Sequence, residues 1–124
     1  MTVAAIIYTI LSGIIILFQL CLAAGLPWGA ASMGGKFPGK YPTKMRFVAL
    51  INVLLLIFLT VIVLSSAKLI LPQLNNFSSK AIWGVIVFSL LGTILNTITP
   101  SKIERIWAPV ILTQLICSLY IAVN

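Results

Sequence analysis

Four long stretches of the sequence, 1–35, 47–67, 81–101 and 106–124, contain no Asp, Glu, Lys or Arg. A bilayer core takes about 20 apolar residues per helical crossing. Each stretch therefore holds one crossing comfortably and two only with strain. Lipid offers no water to an open backbone group, so only helices or closed barrels can span it. The runs are continuously apolar, without the period-2 alternation of a barrel strand, and helices win. We place them at about 3–26, 44–68, 80–99 and 104–123. The expected fold class is all-α: an integral membrane, antiparallel four-helix bundle forming one transmembrane domain over residues 1–124.

Charge limits the chemistry as sharply as it limits the fold. Charged residues make up 7% of the chain, against about a quarter in soluble domains. The chain has eight Lys or Arg, one acid (Glu104) and no His, a net charge of +7. Most acid–base chemistry and most metal sites have no side chains to work with here. We expect no enzyme, no cofactor and no metal site. The bases are distributed between greasy runs rather than gathered in a patch, which argues against nucleic acid.

The first run could instead be a secretion signal, with Ala23-Ala24-Gly25 as a cleavage site. A signal needs a basic start and a short apolar core, whereas this run has no basic side chain before it and is long. We expect it to be a retained span. No lipidation box is present.

Punctuation sets the expected helix ends. Gly25, Pro27 and Gly29 close the first helix, and Thr43 after Pro42 caps the second. Pro72 and Asn75-Asn76 break the chain before Ser78-Ser79 cap the third. Pro100 and Ser101 break and then cap the fourth. Pro42-Thr43-Lys44-Met45-Arg46 echoes Pro100-Ser101-Lys102-Ile103-Glu104-Arg105. Any helix entering a bilayer from a basic side starts in this way, so the echo does not require a duplicated hairpin.

Orientation follows from bases near the span ends. The first and third connections share a side and carry Lys36, Lys40, Lys44, Arg46, Lys102 and Arg105. The opposite side has Lys68 and Lys80. Six against two places the first and third loops in the cytoplasm and both termini outside.

Two groups of residues are candidate sites. The first is the set of amides inside the spans, one per helix: Gln19, Asn52, Asn96 and Gln114. At 1.5 Å per residue all four lie between the basic interface and mid-membrane. Ser89, Gly92, Thr93 and Asn96 share a stripe of the third helix, and Thr113, Gln114, Cys117 and Ser118 one of the fourth. Such groups hold helices together, each worth about 0.6 kcal/mol; the alternative is a polar cavity open towards the long first loop. Without a buried acid or His, such a cavity is a poor proton-coupled site.

The second group belongs to the long loop and its neighbours: Trp28, Lys36, Lys40, Arg46, Glu104 and Arg105. The loop mixes small residues, interfacial aromatics (Trp28, Phe37, Tyr41) and lysines. Its Gly34-Gly35 backbone and its bases suit a phosphate or lipid headgroup, or serve simply as an anchor at the membrane surface. Trp83 and Trp107 read as interfacial anchors. Glu104, set between Lys102 and Arg105 at a helix start, suits a structural ion pair, with Arg46 as a candidate partner. Cys21 and Cys117 sit roughly 9 Å and 18 Å from the basic interface, too different in depth for a disulfide.

Gly25-x-Pro27-Trp28-Gly29, Gly34-Gly35, Pro42-x-x-x-Arg46 and Ser101-x-x-Glu104-Arg105-x-Trp107-x-Pro109-Val110 together resemble a family of small four-span bacterial membrane proteins, over nearly the whole chain. The resemblance implies a four-helix fold in a bacterial cytoplasmic membrane and brings no reaction with it. Loop positions 30–33 depart from that family's aromatic-containing version. Small multidrug exporters carry a Glu in their first helix, which is missing here. Fluoride channels carry a Thr-Thr-Phe-Ser break, which Gly92-Thr93-Ile94-Leu95 does not match. The glutathione-using membrane enzymes carry a charged second helix, and 47–67 has no charge.

The leading expectation is a non-enzymatic module that binds membrane lipids or a protein partner, either another membrane protein or a second copy of itself. The competing expectation is a small oligomeric transporter or channel lined by the four amides.

Overall fold

The computed structural model describes residues 2–31, 39–99 and 102–123. Four helices carry the fold: α1 (Thr2–Ala24), α2 (Thr43–Ser66), α3 (Asn75–Ile98) and α4 (Trp107–Val123). Short 3-10 turns at Gly29–Ala31, Pro72–Leu74 and Glu104–Ile106 precede or follow them, and the described residues contain no strand. Each helix is long and apolar enough to cross a membrane once its adjoining turn is counted. Large apolar side chains such as Leu17, Leu54, Leu95 and Ile116 point outwards on every helix. That arrangement suits a lipid solvent and would be untenable in water.

The helices form a ring in chain order. α1 packs on α2 and α4, and α3 packs on α2 and α4. The pairing is antiparallel: Tyr8 and Ser12 of α1 face Gln114 of α4, while Phe18 lies against Trp107. At the end carrying both termini, Ala5, Tyr8, Val63, Ile82, Val85 and Cys117 pack into a core drawn from all four helices. A smaller cluster at the other end joins Leu22, Tyr41 and Ala49. Gly92 admits α4 closely, since a Cβ there would sit 3.4 Å from Ile111.

Hydroxyls inside the spans bond to their own helices. Thr9, Thr60, Thr93, Thr97 and Thr113 each donate to the carbonyl four residues back, at 2.7–2.8 Å. An open hydroxyl in hydrocarbon costs several kcal/mol, and this bond removes most of that cost.

Several expected boundaries move. α3 begins at Asn75 rather than Lys80, because Pro72 starts a 3-10 turn that runs straight into the helix. Ser78 and Ser79 are not caps: they lie within α3 and donate back to the carbonyls of Leu74 and Asn76. Thr43 does not cap α2 either; Pro42 occupies the cap position and no side chain bonds there. The expected Pro100-Ser101 cap lies outside the described residues. Pro109 falls in the first turn of α4, where its missing N–H costs nothing.

Candidate functional site

The most constructed region lies where α1 ends. Gly25 adopts φ +96°, and two bonds close the helix: Gly25 N–H to Leu22 O at 3.1 Å and Leu26 N–H to Cys21 O at 3.0 Å. This is the paired cap that glycine favours, because a Cβ is strained in the left-handed region. Glycine is required here for space as well. A Cβ at Gly25 would collide with the guanidinium of Arg46 and lie 2.9 Å from Lys40 Cε. Two cationic side chains therefore rest on the last turn of α1, where the carbonyl end of the helix dipole favours them. The Arg46 Nε is buried there without a hydrogen-bond partner.

Beyond Gly25 the chain folds back onto the start of α4. Gly29 N–H donates to Gly39 O at 2.8 Å, which closes the base of the long loop. The turn Gly29–Ala31 packs on the turn Glu104–Ile106. Trp107 fixes this contact: its indole N–H donates to Ala31 O at 3.0 Å, and its ring meets Phe18 at a centroid distance of 4.8 Å. Arg105 Nε donates to Thr99 O at 3.1 Å, tying the third connection to the end of α3. Glu104 is buried and engaged, only 8% exposed.

These contacts enclose an apolar groove of about 480 Å³. One wall is a stripe of α1: Ile14, Leu17, Phe18 and Cys21. Pro27, Trp28 and Ala31 from the loop and Ile103, Ile106 and Trp107 from the start of α4 complete the lining. Trp28 is 48% exposed.

Of the expected loop face, Trp28 lines the groove, Lys40 and Arg46 meet at Gly25, and Glu104 and Arg105 belong to the turn on which the loop docks. Lys36, Phe37 and Gly34-Gly35 lie outside the described residues. One aromatic assignment is corrected. Tyr41 is not a surface anchor but is buried at 3% exposure against Leu22 and Ala49. Trp107 is half buried and clasps the loop. Leucine, phenylalanine and cysteine on an outward stripe look the same in sequence whether they meet lipid or line a groove, so Phe18 and Cys21 gave no signal.

The four amides lie on the inward stripes of four helices. Gln114 is buried and spans the α1–α4 interface, its Nε2 donating to Ser12 Oγ at 2.8 Å and Tyr8 O at 3.2 Å. Asn96 donates to Gly92 O of its own helix at 2.7 Å. Gln19 and Asn52 are half buried. None of the four lines the apolar groove. Cys21 and Cys117 are both free thiols.

No protein-family model matches the chain, and neither does any curated protein or solved structure. Four apolar, mutually packed helices are those of a multi-pass membrane protein.

Proposed function

We propose that the chain is a non-enzymatic module of a bacterial cytoplasmic membrane that holds an anionic lipid at the loop end of its bundle. The observation that carries this reading is the groove itself. It is an apolar slot at the end of a span, walled by Phe18 and Trp107, with the Lys40 and Arg46 side chains resting on Gly25, four residues beyond Cys21. Four residues of helix are about 6 Å, so a chain in the slot would carry its headgroup to those cations.

Magnitudes decide which part of the lipid is recognised. A chain leaving the bilayer for an apolar slot gains little, because lipid tails are as apolar as the slot. A base near the surface attracts an anionic headgroup by about 1 kcal/mol. Two bases give about 2 kcal/mol, a preference of roughly thirtyfold over a zwitterionic lipid. The slot orients the lipid and the cations select it.

Native mass spectrometry of the protein from micelles with equal phosphatidylglycerol and phosphatidylcholine tests this. Retention of the anionic lipid should exceed the zwitterionic by about tenfold or more. Lys40→Gln with Arg46→Gln should remove that preference, and Cys21→Trp, which fills the slot, should remove both lipids. Equal retention of the two lipids by the unmodified protein would sink the reading.

A further inference from the structure

Lys40 and Arg46 converge on one point. From the position where Gly25 would carry a Cβ, Lys40 Cε lies 2.9 Å away and Arg46 Cζ 3.0 Å, so the two cationic side chains are neighbours. Like charges held this close repel unless something negative joins them. Among the described residues neither side chain takes part in an ion pair or hydrogen bond, and Arg46 Nε is buried without a partner. The end of α1 supplies some negative charge, but a helix C-terminus is worth only about half a unit. Two cations therefore leave about one and a half positive charges unmatched. A phosphodiester headgroup brings a single negative charge. A terminal phosphate brings about 1.5 to 2 and three acceptor oxygens. A guanidinium fork engages two such oxygens and leaves the third for an ammonium group.

The groove limits the rest of the ligand. Ile14, Leu17, Phe18 and Cys21 line it, and Gly25 follows at the same helical spacing. The cations thus lie on the continuation of the groove's own face of α1. An engineered apolar cavity of about 150 Å³ takes benzene, six carbons. At that density the groove's volume of about 480 Å³ holds about twenty carbons, one chain and no second. Its lining is hydrocarbon and aromatic apart from the Cys21 thiol, a weak donor, and two indoles. The Trp107 N–H is already spent on Ala31 O. The two ester carbonyls of a glycerolipid would be poorly served there once out of water. A chain joined directly to its phosphate has no ester to satisfy.

We propose that the lipid held at the loop end is a single hydrocarbon chain joined directly to a terminal phosphate, of the polyprenyl monophosphate class. Its chain lies in the groove and its phosphate bridges Lys40 and Arg46. This rests on the anionic-lipid reading above and narrows it to one headgroup and one chain.

Native mass spectrometry of the unmodified protein, from micelles carrying equal geranylgeranyl monophosphate, phosphatidate and phosphatidylglycerol, tests this. Geranylgeranyl monophosphate should be retained about tenfold above phosphatidylglycerol, because the added charge roughly repeats the gain of the first. It should also exceed phosphatidate, which carries the same phosphate on two ester-linked chains, and geranylgeraniol should not be retained. Lys40→Gln, at an exposed position, should bring the phosphate lipid down to the level of phosphatidylglycerol. A Trp83→Phe background leaves Trp28 and Trp107, both in the groove lining. A nitroxide at the far end of the geranylgeranyl chain should quench their emission, and the unlabelled lipid should restore it. Phosphatidylglycerol retained as well as geranylgeranyl monophosphate, with both above phosphatidylcholine, would overturn the terminal phosphate and leave the anionic-lipid reading standing. Phosphatidate retained equally would overturn the single chain. Retention without quenching would overturn the groove as its seat. Equal retention of phosphatidylglycerol and phosphatidylcholine would instead remove the reading beneath it.

Discussion

Gln114 shows what one amide does in a bundle this short of polar groups. Its Nε2 makes two bonds to α1, to Ser12 Oγ and Tyr8 O, and its backbone carbonyl accepts the Ser118 hydroxyl at 2.9 Å. Interhelical bonds inside membranes average about 0.6 kcal/mol, with a maximum near 1.7. Gln114→Leu should cost an amount within that range, about 1 kcal/mol. The loss is capped because a stranded Ser12 hydroxyl can turn to the carbonyl four residues back, that of Tyr8. Denaturant unfolding in micelles, read by tryptophan fluorescence, should show it, and Ser12→Ala should add little once Gln114 is gone. A penalty above 3 kcal/mol would mean that the amide supports something larger than this interface. The sequence marked Gln114 as a polar group in a span, as it did Gln19, Asn52 and Asn96. It did not distinguish the amide that bridges two helices from the others. That difference depends on which neighbouring helix comes within 3 Å, a tertiary distance no local pattern carries.

Helix ends separate what the sequence showed from what it hid. α1 stops where Gly25 and Pro27 said it would, because glycine is the residue that the left-handed closing position favours. α2 closes with the same pair of bonds, Lys68 N–H to Ser65 O and Leu69 N–H to Leu64 O, both 3.0 Å. Here Lys68 holds the left-handed position, at φ 64°. A residue with a Cβ costs roughly 1 kcal/mol more than glycine in that conformation. Lys68→Gly should accordingly stabilise the protein by up to about 1 kcal/mol, part of it offset by the added freedom of the unfolded chain. A thermal melt in micelles checks the direction, and destabilisation would show that the lysine side chain contributes more than its backbone strain costs. The start of α3 was misplaced for a different reason. Residues 75–80 are polar apart from Phe77, so counting apolar residues finds the crossing and not the helix. Only the Asn75 Nδ2 bond to Ser65 O at 3.0 Å and the Pro72–Leu74 turn show that the helix begins a turn and a half earlier.

For the whole molecule, charge and packing point to the same end. The structure gathers Lys40, Lys44, Arg46, Lys102 and Arg105 at one end of the ring and Lys68 and Lys80 at the other. The end rich in bases is also the end with the groove and the half-buried amides. Each base on the wrong side of a 100 mV membrane potential costs about 2.3 kcal/mol, so the excess favours the basic end inside. The short loops expose the bases to the full rule, which counts Lys and Arg near span ends. Both termini are thus predicted outside, with the groove on the cytoplasmic side. Alkaline phosphatase fused after residue 124 should be active in a bacterial host, and green fluorescent protein at the same place dark. Replacing Lys40, Lys44, Lys102 and Arg105 with Gln should bring the two ends close to balance and yield both orientations, seen as partial activity of both reporters. A bright fluorescent fusion on the unmodified chain would invert the topology. The groove would then lie on the outer side, and any lipid it holds would come from the outer leaflet.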